Sequence, residues 1–294
     1  MNMKNKLGFN FYDIFIYSFC ILFGLICFYP LWFVFIGSIV GTNTYSLASK
    51  LMLWPSGGVS FEYYKMIFTG PHFQSSFFIS VVRTLLGTFG VLLITGITAY
   101  GVSKKRVPGM KQVNLIFIFT MFFGGGLIPY YLLIKSLKLV GTFWIMILPV
   151  VSVGHFIIMR NYFSYSVPAE LEDSCLIDGA NDIILFFKIV VPISKPMFAA
   201  IALFQAVGFW NDWQTWFMFV KVPAIKPFVN VLQDALKSPE AYLNIPTEIE
   251  GRVPIVPTNI QMTLIIVNML PIIMTYPLLQ KHFAKGILIG AVKG

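Results

Sequence analysis

The chain alternates between long apolar stretches without charge and short segments that collect its charged and turn-forming residues. A helix that crosses a bilayer needs about 20 apolar residues. Six stretches meet that requirement: 14–40, 77–103, 112–134, 139–159, 196–220 and 253–280. Backbone polar groups in lipid must be hydrogen-bonded within the chain, so these stretches are predicted to be helices rather than the short alternating strands of a β-barrel. The pattern predicts an all-α polytopic membrane protein with a single transmembrane domain over residues 1–294.

Composition supports a membrane protein. Hydrophobic residues make up 57% of the chain and charged residues only 11%, against about 25% charged in an average soluble domain. This balance excludes a disordered chain and disfavours a soluble domain. The first apolar stretch is about twice as long as a signal-peptide core, so we interpret it as a retained span. The three cysteines show no metal-binding spacing, and we expect neither a disulfide framework nor a metal site.

Lysine and arginine set the predicted orientation, because cytoplasmic loops of membrane proteins carry an excess of both. With an inside N-terminus, 12 Lys and Arg lie on the inner side against 8 outside, and the short turn 104–111 alone carries four. Both termini are then predicted to be cytoplasmic. Segments 41–76 and 221–252 become external loops, and segment 160–195 becomes a long internal loop.

The internal loop has a legible local structure. Pro168 suits a first helical turn, and the acids that follow suit the positive end of a helix dipole. Gly179 is predicted to end this helix, and Asn181 to cap a second helix that runs to about Val190. From composition alone, this loop is either a solvated helix hairpin or a rigid knob on which a soluble partner docks.

The same loop resembles the EAA loop of ABC-importer permeases. The matching residues are Glu172, Asp178, Gly179, Ala180 and Pro192. Asp173 stands in place of a usual second Glu. Ser174 and Cys175 stand in place of two Ala, and because Ser and Cys are also small, close packing of this helix can be retained. Segments 123–137, 210–213 and 280–294 also look like sugar-importer permeases, most of all the branch that handles oligosaccharides and polysaccharide fragments.

The resemblance implies the fold of a type I ABC-importer permease in the bacterial cytoplasmic membrane. It also implies that the first helix of the loop is the coupling helix, which sits in a groove of a cytoplasmic ATPase. The implied coupling residues are Glu170, Leu171, Glu172, Asp173, Leu176, Asp178, Gly179 and Ala180. By the same analogy, Glu172 pairs with a basic residue of the groove.

The implied partners are a second permease, two ATPase subunits and a solute-binding protein outside the cell. The chain contains no GxxxxGK[ST] phosphate loop, so ATP hydrolysis is expected on a separate chain. We therefore expect no enzymatic activity and no cofactor on this chain, with ATP-Mg bound by the partner ATPase.

Asp212 is an acid within an apolar stretch, which makes it a functional candidate. Together with Trp210, Asn211 and Trp213 it is predicted to line the substrate path, since sugar sites combine apolar walls with a few polar groups. The alternative is an aromatic belt at the membrane interface. Arg83 and His155 are interpreted as anchoring or packing residues.

Other interpretations remain open at this point. The solute of an ABC importer need not be a sugar, and an ion-coupled secondary transporter is a further alternative. The latter class usually shows several intramembrane acids or repeated, broken spans. Gly87, Gly90 and Gly124–126 favour close helix packing, either against a second subunit or within the chain.

Overall fold

The computed structural model describes residues 11–40, 53–55, 58–70, 73–104, 106–148, 151–177, 179–237 and 257–291. The described residues form helices and turns, and an isolated antiparallel bridge joins Val40 and Val59. The α-helices are α1 (Phe11–Ile39), α2 (Glu62–Thr69), α3 (Phe73–Ser103), α4 (Met110–Phe122), α5 (Leu127–Ser136), α6 (Val153–Ser166), α7 (Ala169–Ile177), α8 (Asp182–Leu185), α9 (Val191–Ile193), α10 (Lys195–Asn211), α11 (Phe228–Lys237) and α12 (Pro257–Ala291).

The chain divides into two compact units. Unit one comprises Met1–Gly70 and Asp234–Met269, and unit two comprises Pro71–Gln233 and Leu270–Gly294. In unit one, the end of α1 packs against the start of α12. Gly37 allows this approach, because a Cβ there would lie 2.0 Å from the sulfur of Met262. Thr263 donates a hydrogen bond to the carbonyl of Ser38 at 3.3 Å.

The core of unit two lies between α3, α6 and α10. Ala99, Phe156 and Val190 are fully buried in it. Aromatic rings fill much of the space, and Phe163 contacts Tyr100, Phe186 and Phe198. Pairs of rings in such edge-on or tilted contacts add about 0.5–1.5 kcal/mol beyond the area that they bury. This core fixes α3, α6 and α10 relative to one another and so positions the loops at their ends.

Helix α10 is bounded by irregular backbone at each end. A π-helical turn, Phe186–Val190, precedes it, and a second one, Trp216–Val220, follows it. Such turns are frequent at functional sites. The helix itself stops at Asn211, because Asp212 adopts an extended conformation.

The described helices overlap several of the predicted spans, whose number and bounds stay a prediction. Three described helices have the length and composition to cross a bilayer: Tyr12–Ile39, Phe73–Ser103 and Thr258–Pro277. They match the first, second and sixth predicted spans, although residues 253–256 of the sixth lie outside the described part. Two bent pairs raise the number to five if each pair is one span: Met110–Phe122 with Leu127–Ser136, bent by 116°, and Asp182–Ile193 with Lys195–Asn211, bent by 84°.

The third and fifth predicted spans are not single straight helices. The third breaks at residues 123–126, where Gly126 has a φ of +82° that side chains rarely adopt. The fifth breaks at Asp212. The fourth, 139–159, is not a continuous helix: the described residues before Val153 form turns with one short 3₁₀ helix, Trp144–Met146, and α6 then runs on to Ser166. Gly141, at φ +79°, interrupts the apolar run that suggested a helix.

Candidate functional site

A buried ion pair joins α3 to the end of α10. Arg83 is only 1% exposed, and its Nη2 donates a hydrogen bond to Oδ2 of Asp212. Its Nη1 donates to the carbonyl oxygen of Asp212 at 2.7 Å, and its Nε donates to the carbonyl oxygen of Met146 at 3.1 Å. The guanidinium therefore holds three segments together. Arg83 is interpreted from the sequence as an anchoring or packing residue, and it is buried among these partners. We call Arg83 and Asp212 the buried pair.

The four residues predicted to line a substrate path lie around this pair. Besides its bond to Arg83, the Asp212 carboxylate accepts from the backbone N–H of Thr215 at 3.1 Å, which starts the next helical turn. The Trp210 ring is buried and packs edge-on against Phe77. Asn211 is exposed, and Trp213 is half-buried. Their contact with a sugar stays a prediction.

Close packing beside the buried pair depends on Gly87. A Cβ at this position would lie 2.6–2.7 Å from the ring of Phe209 on α10, closer than carbon atoms approach without displacement. Gly87 lies one helical turn from Arg83, and Phe209 lies nearly one turn from Asp212. The missing side chain therefore brings α10 near enough for the pair to form. Gly87 packs within the chain, which is one of the two predicted alternatives.

The internal loop folds largely as predicted. Helix α7 begins at Ala169, and the carbonyl of Pro168 accepts a long bond from the N–H of Glu172, at 3.4 Å. Gly179 follows at φ +83°. The Asn181 side chain then accepts from the N–H of Ile184 at 2.8 Å and caps α8. The predictions for Gly179 and Asn181 are confirmed, but Pro168 precedes the first helical residue. Asp178 and the side chain of Leu176 lie outside the described part.

A cluster of charged groups fastens this loop to the end of α3. We call it the loop clamp; it consists of Tyr100, Lys104, Arg106, Glu172 and Asp182. The Tyr100 hydroxyl donates to Oε1 of Glu172 at 2.8 Å. Lys104 Nζ lies 2.5 Å from Oδ1 of Asp182 and 3.9 Å from Oε2 of Glu172, and Arg106 Nη2 lies 2.6 Å from the same Asp182 oxygen. One clamp residue, Glu172, thus joins α7 to α3, and another, Asp182, joins α8 to it.

Burial differs within the loop clamp. The side chain of Lys104 is 5% exposed and that of Glu172 is 15% exposed, whereas that of Asp182 is 63% exposed. The hydrogen bond from Lys104, followed by the charges of Lys104 and Arg106, lowers the pKa of Asp182 below its ordinary value of 3.8. Asp182 is therefore ionised at neutral pH, and the clamp is intact there.

Helix α7 presents a different set of residues outward. Glu170, Asp173 and Ile177 are exposed, Ile177 by 86%. Cys175 instead packs against the core of unit two. An exposed isoleucine beside acids, on a helix held from behind, can dock a partner whose surface is apolar and basic. Of the predicted coupling residues, Glu172 points inward and Glu170 and Asp173 point outward.

Three polar side chains meet in the middle of unit two. Nδ1 of His155 on α6 lies 2.6 Å from Nε2 of Gln205 on α10 and 2.8 Å from Oγ of Ser152. The N–H of Ser152 donates to Oγ1 of the buried Thr95 on α3 at 3.3 Å. Ser152, His155 and Gln205 are half-buried. We call these three residues the polar triplet; the sequence reasoning assigned His155 to packing.

Sequence reasoning missed the partners rather than the residues of these sites. It singled out Arg83, Asp212 and Glu172, but not the contacts of Arg83 with Asp212 or of Tyr100 with Glu172. Unpaired charges at membrane depth are costly, so one basic and one acidic residue in two apolar spans were a signal that they pair. Nothing in the spacing of His155 and Gln205 indicated their contact.

Comparison with known proteins gives concordant results. The chain is 36% identical over 293 residues to the polygalacturonan/rhamnogalacturonan transport system permease protein YtcP of Bacillus subtilis, covering 99% of this chain and 100% of that protein. It is 40% identical over 232 residues to protein LplC of the same organism, covering 79% and 78%. No protein-family model matches the chain.

A solved structure shows the same fold. The match is to a chain of a bacterial ABC transporter involved in the import of the acidic polysaccharide alginate, with a TM-score of 0.81 and 24% identity, covering 96% of this chain and 100% of that chain. Identity and coverage with YtcP are high enough to show the family, and the apolar helices agree with it. The chain belongs to the carbohydrate-uptake permeases of ABC importers, multi-pass proteins of the bacterial cytoplasmic membrane.

Proposed function

We propose that this chain forms half of the translocation path of an ATP-driven importer for an oligosaccharide or polysaccharide fragment. It acts as one permease domain over residues 1–294, with six spans and both termini in the cytoplasm. A second permease completes the path, and an external solute-binding protein delivers the sugar. Two cytoplasmic ATPase subunits bind ATP-Mg. The relative named for polygalacturonan and rhamnogalacturonan transport supports an acidic, uronate-containing sugar as the first substrate to test.

The observation that carries the coupling proposal is the loop clamp. A coupling element must transmit force, and a helix on a loose loop would absorb the movement of its partner. Helix α7 is instead bonded to α3 through Glu172 and Tyr100, and α8 through Asp182 and Lys104. Because α3 packs along α6 and α10, a push on α7 reaches all three helices. Movement of an ATPase groove against α7 therefore becomes movement of the spans.

The clamp also refines the roles within the coupling helix. The carboxylate of Glu172 contacts Tyr100 and Lys104, so we assign Glu172 to positioning the helix. Its pairing with a basic groove residue, implied by the resemblance, stays a prediction. The exposed Glu170, Asp173 and Ile177 are assigned to the face that enters the groove. Gly179 supplies the turn, and Leu171, Leu176, Asp178 and Ala180 remain within the proposed coupling segment.

Cross-linking tests the proposed function. In a background with the three native cysteines replaced by serine, Asp173→Cys places a thiol on the outward face of α7. The importer is isolated from native membranes in mild detergent after treatment with a short bifunctional maleimide. We expect a cross-link from position 173 to a subunit that hydrolyses ATP, identified by mass spectrometry.

The matched control is Trp54→Cys, which is equally accessible because Trp54 is 77% exposed but lies in the loop assigned to the outside. This control should give no cross-link to the ATPase. A chain that purifies without ATPase activity and without a cross-link from position 173 would contradict the proposal. Cross-linking of both positions to the same ATPase would contradict the orientation.

A further inference from the structure

The polar triplet lies at the depth of the bilayer centre. At about 1.5 Å per residue, Gln205 lies about 15 Å along α10 from Lys195, and His155 lies about 16 Å along α6 from Ser166. Both starting points are at the end of unit two that carries the coupling loop. The apolar core of a bilayer is about 30 Å thick. The triplet is therefore about half-way across.

Lipid is an unsuitable neighbour for this surface. His155 and Gln205 are half-buried, so part of each side chain reaches the surface of the described chain. Polar side chains at this depth face a bundle interior or a water-filled cavity, because hydrocarbon cannot hydrogen-bond them. The face of α6 and α10 that carries them must therefore meet water or protein.

The hydrogen bonds inside the triplet leave groups to bind a ligand. Since the Gln205 amide nitrogen donates to Nδ1 of His155, the neutral imidazole carries its proton on Nε2. Within the described residues, this Nε2–H and the Gln205 carbonyl oxygen have no further hydrogen-bond partner. One donor and one acceptor thus lie side by side, and the opposite tautomer with a flipped amide would offer the same pair. A sugar hydroxyl, which both donates and accepts, is complementary to such a pair.

An aromatic ring completes the site. Phe204 is 62% exposed, and its ring centroid lies 6.5 Å from that of His155. An apolar ring beside a few polar groups is the usual composition of a small-ligand site. We propose that His155, Gln205 and Phe204 form a sugar-contact site at the middle of the translocation path, with Ser152 as the positioning residue that orients the imidazole. The inference rests on the proposed function, since it assigns a place on that path.

Thiol accessibility tests the site in the assembled importer. In the background without native cysteines, Gln205→Cys is treated with a hydrophilic maleimide during ATP hydrolysis, with or without a galacturonate oligomer; a galactose oligomer serves as the neutral probe. We expect labelling that at least one of the two oligomers reduces, by about 5-fold or more. The control is Ile94→Cys, an exposed apolar position on α3 at a similar depth, which should not be labelled.

Uptake kinetics give the second readout. Gln205→Leu removes the polar group and keeps the size, so losing one net hydrogen bond should raise the KM for the transported oligomer about 3- to 10-fold. An unreactive Gln205→Cys, or labelling that neither sugar reduces, would overturn the site. Loss of the ATPase from the complex would instead contradict the proposed function, so the two failures are distinguishable.

Discussion

Arg83 and Asp212 meet with side chains that are 1% and 30% exposed, whereas Arg106 and Asp182 meet with side chains that are 38% and 63% exposed. Both contacts join a basic side chain to an aspartate, but their exposure to solvent differs. Breaking a buried pair leaves an uncompensated charge, which is strongly destabilising, but exposed pairs contribute only about 0–1 kcal/mol. The buried pair is therefore suited to hold the spans permanently, and the exposed part of the loop clamp to give way when a partner pulls.

The largest effect is expected from breaking the buried pair. Arg83→Met leaves the Asp212 carboxylate without its cation and should lower the free energy of unfolding by about 3–5 kcal/mol. Denaturant titration in detergent measures this. The double variant Arg83→Met/Asp212→Asn removes both charges and should recover part of the loss. If the single variant and the parent had equal free energies of unfolding, the buried pair would not stabilise the fold.

The next effect tests how the buried pair is brought together. Gly87→Ala forces a methyl group against the Phe209 ring, and overpacking of this kind costs about 1–3 kcal/mol. Gly101→Ala on the same helix is the matched control, because a Cβ there has no atom within 4 Å in the structure. If both glycine variants had the same melting temperature, close packing at Gly87 would not set the distance between α3 and α10.

In the coupling loop, Asn181→Ala removes the cap of α8 and should lower the free energy of unfolding by about 1 kcal/mol. It should also loosen Asp182, the first residue of that helix. Asn181→Ser keeps a capping oxygen and should behave like the parent. Hydrogen exchange of the Ile184 amide reports the cap directly, and unchanged protection of this amide in the alanine variant would contradict the role of Asn181.

The smallest effect is expected from Arg106→Ala, because the arginine side chain is 38% exposed and its partner 63% exposed. Stability should change by less than about 1 kcal/mol, and the change should shrink further in high salt. Since the pKa of Asp182 is below 3.8 in the folded chain, the clamp contribution is fully present above that pH and is lost as the pH falls below it. A large, salt-independent loss at neutral pH would remove the distinction between the two clusters.

The sequence predicted some of these features well and others not at all. Signals that lie within one segment were readable: Gly179 and Asn181 act where their local chemistry placed them. The apolar pattern could not distinguish a straight span from a broken one. Residues 139–148 belong to a predicted span but form turns and a short 3₁₀ helix, because hydropathy reports how apolar a segment is and not the path of its backbone.

The sequence also did not predict the contacts between residues that lie far apart along the chain. Tyr100 and Glu172 are separated by 72 residues and Gln205 and His155 by 50, so their contacts depend on how helices pack rather than on any local pattern. Charge arithmetic can suggest that an intramembrane acid needs a partner, but it cannot choose among cations. The packing of Gly87 against Phe209 brings α3 close to α10, where Arg83 meets Asp212.

The separation of the buried pair has a consequence for how the protein enters its membrane. The partners of Arg83 follow it by 63 and 129 residues, so a ribosome adding about 5–20 residues per second reaches Asp212 only about 6–26 s later. An unpaired arginine within a membrane-spanning helix is costly. The newly made α3 must therefore wait near the headgroups or inside the insertion machinery. It takes its final depth only once α10 has followed it, so synthesis order and burial order differ.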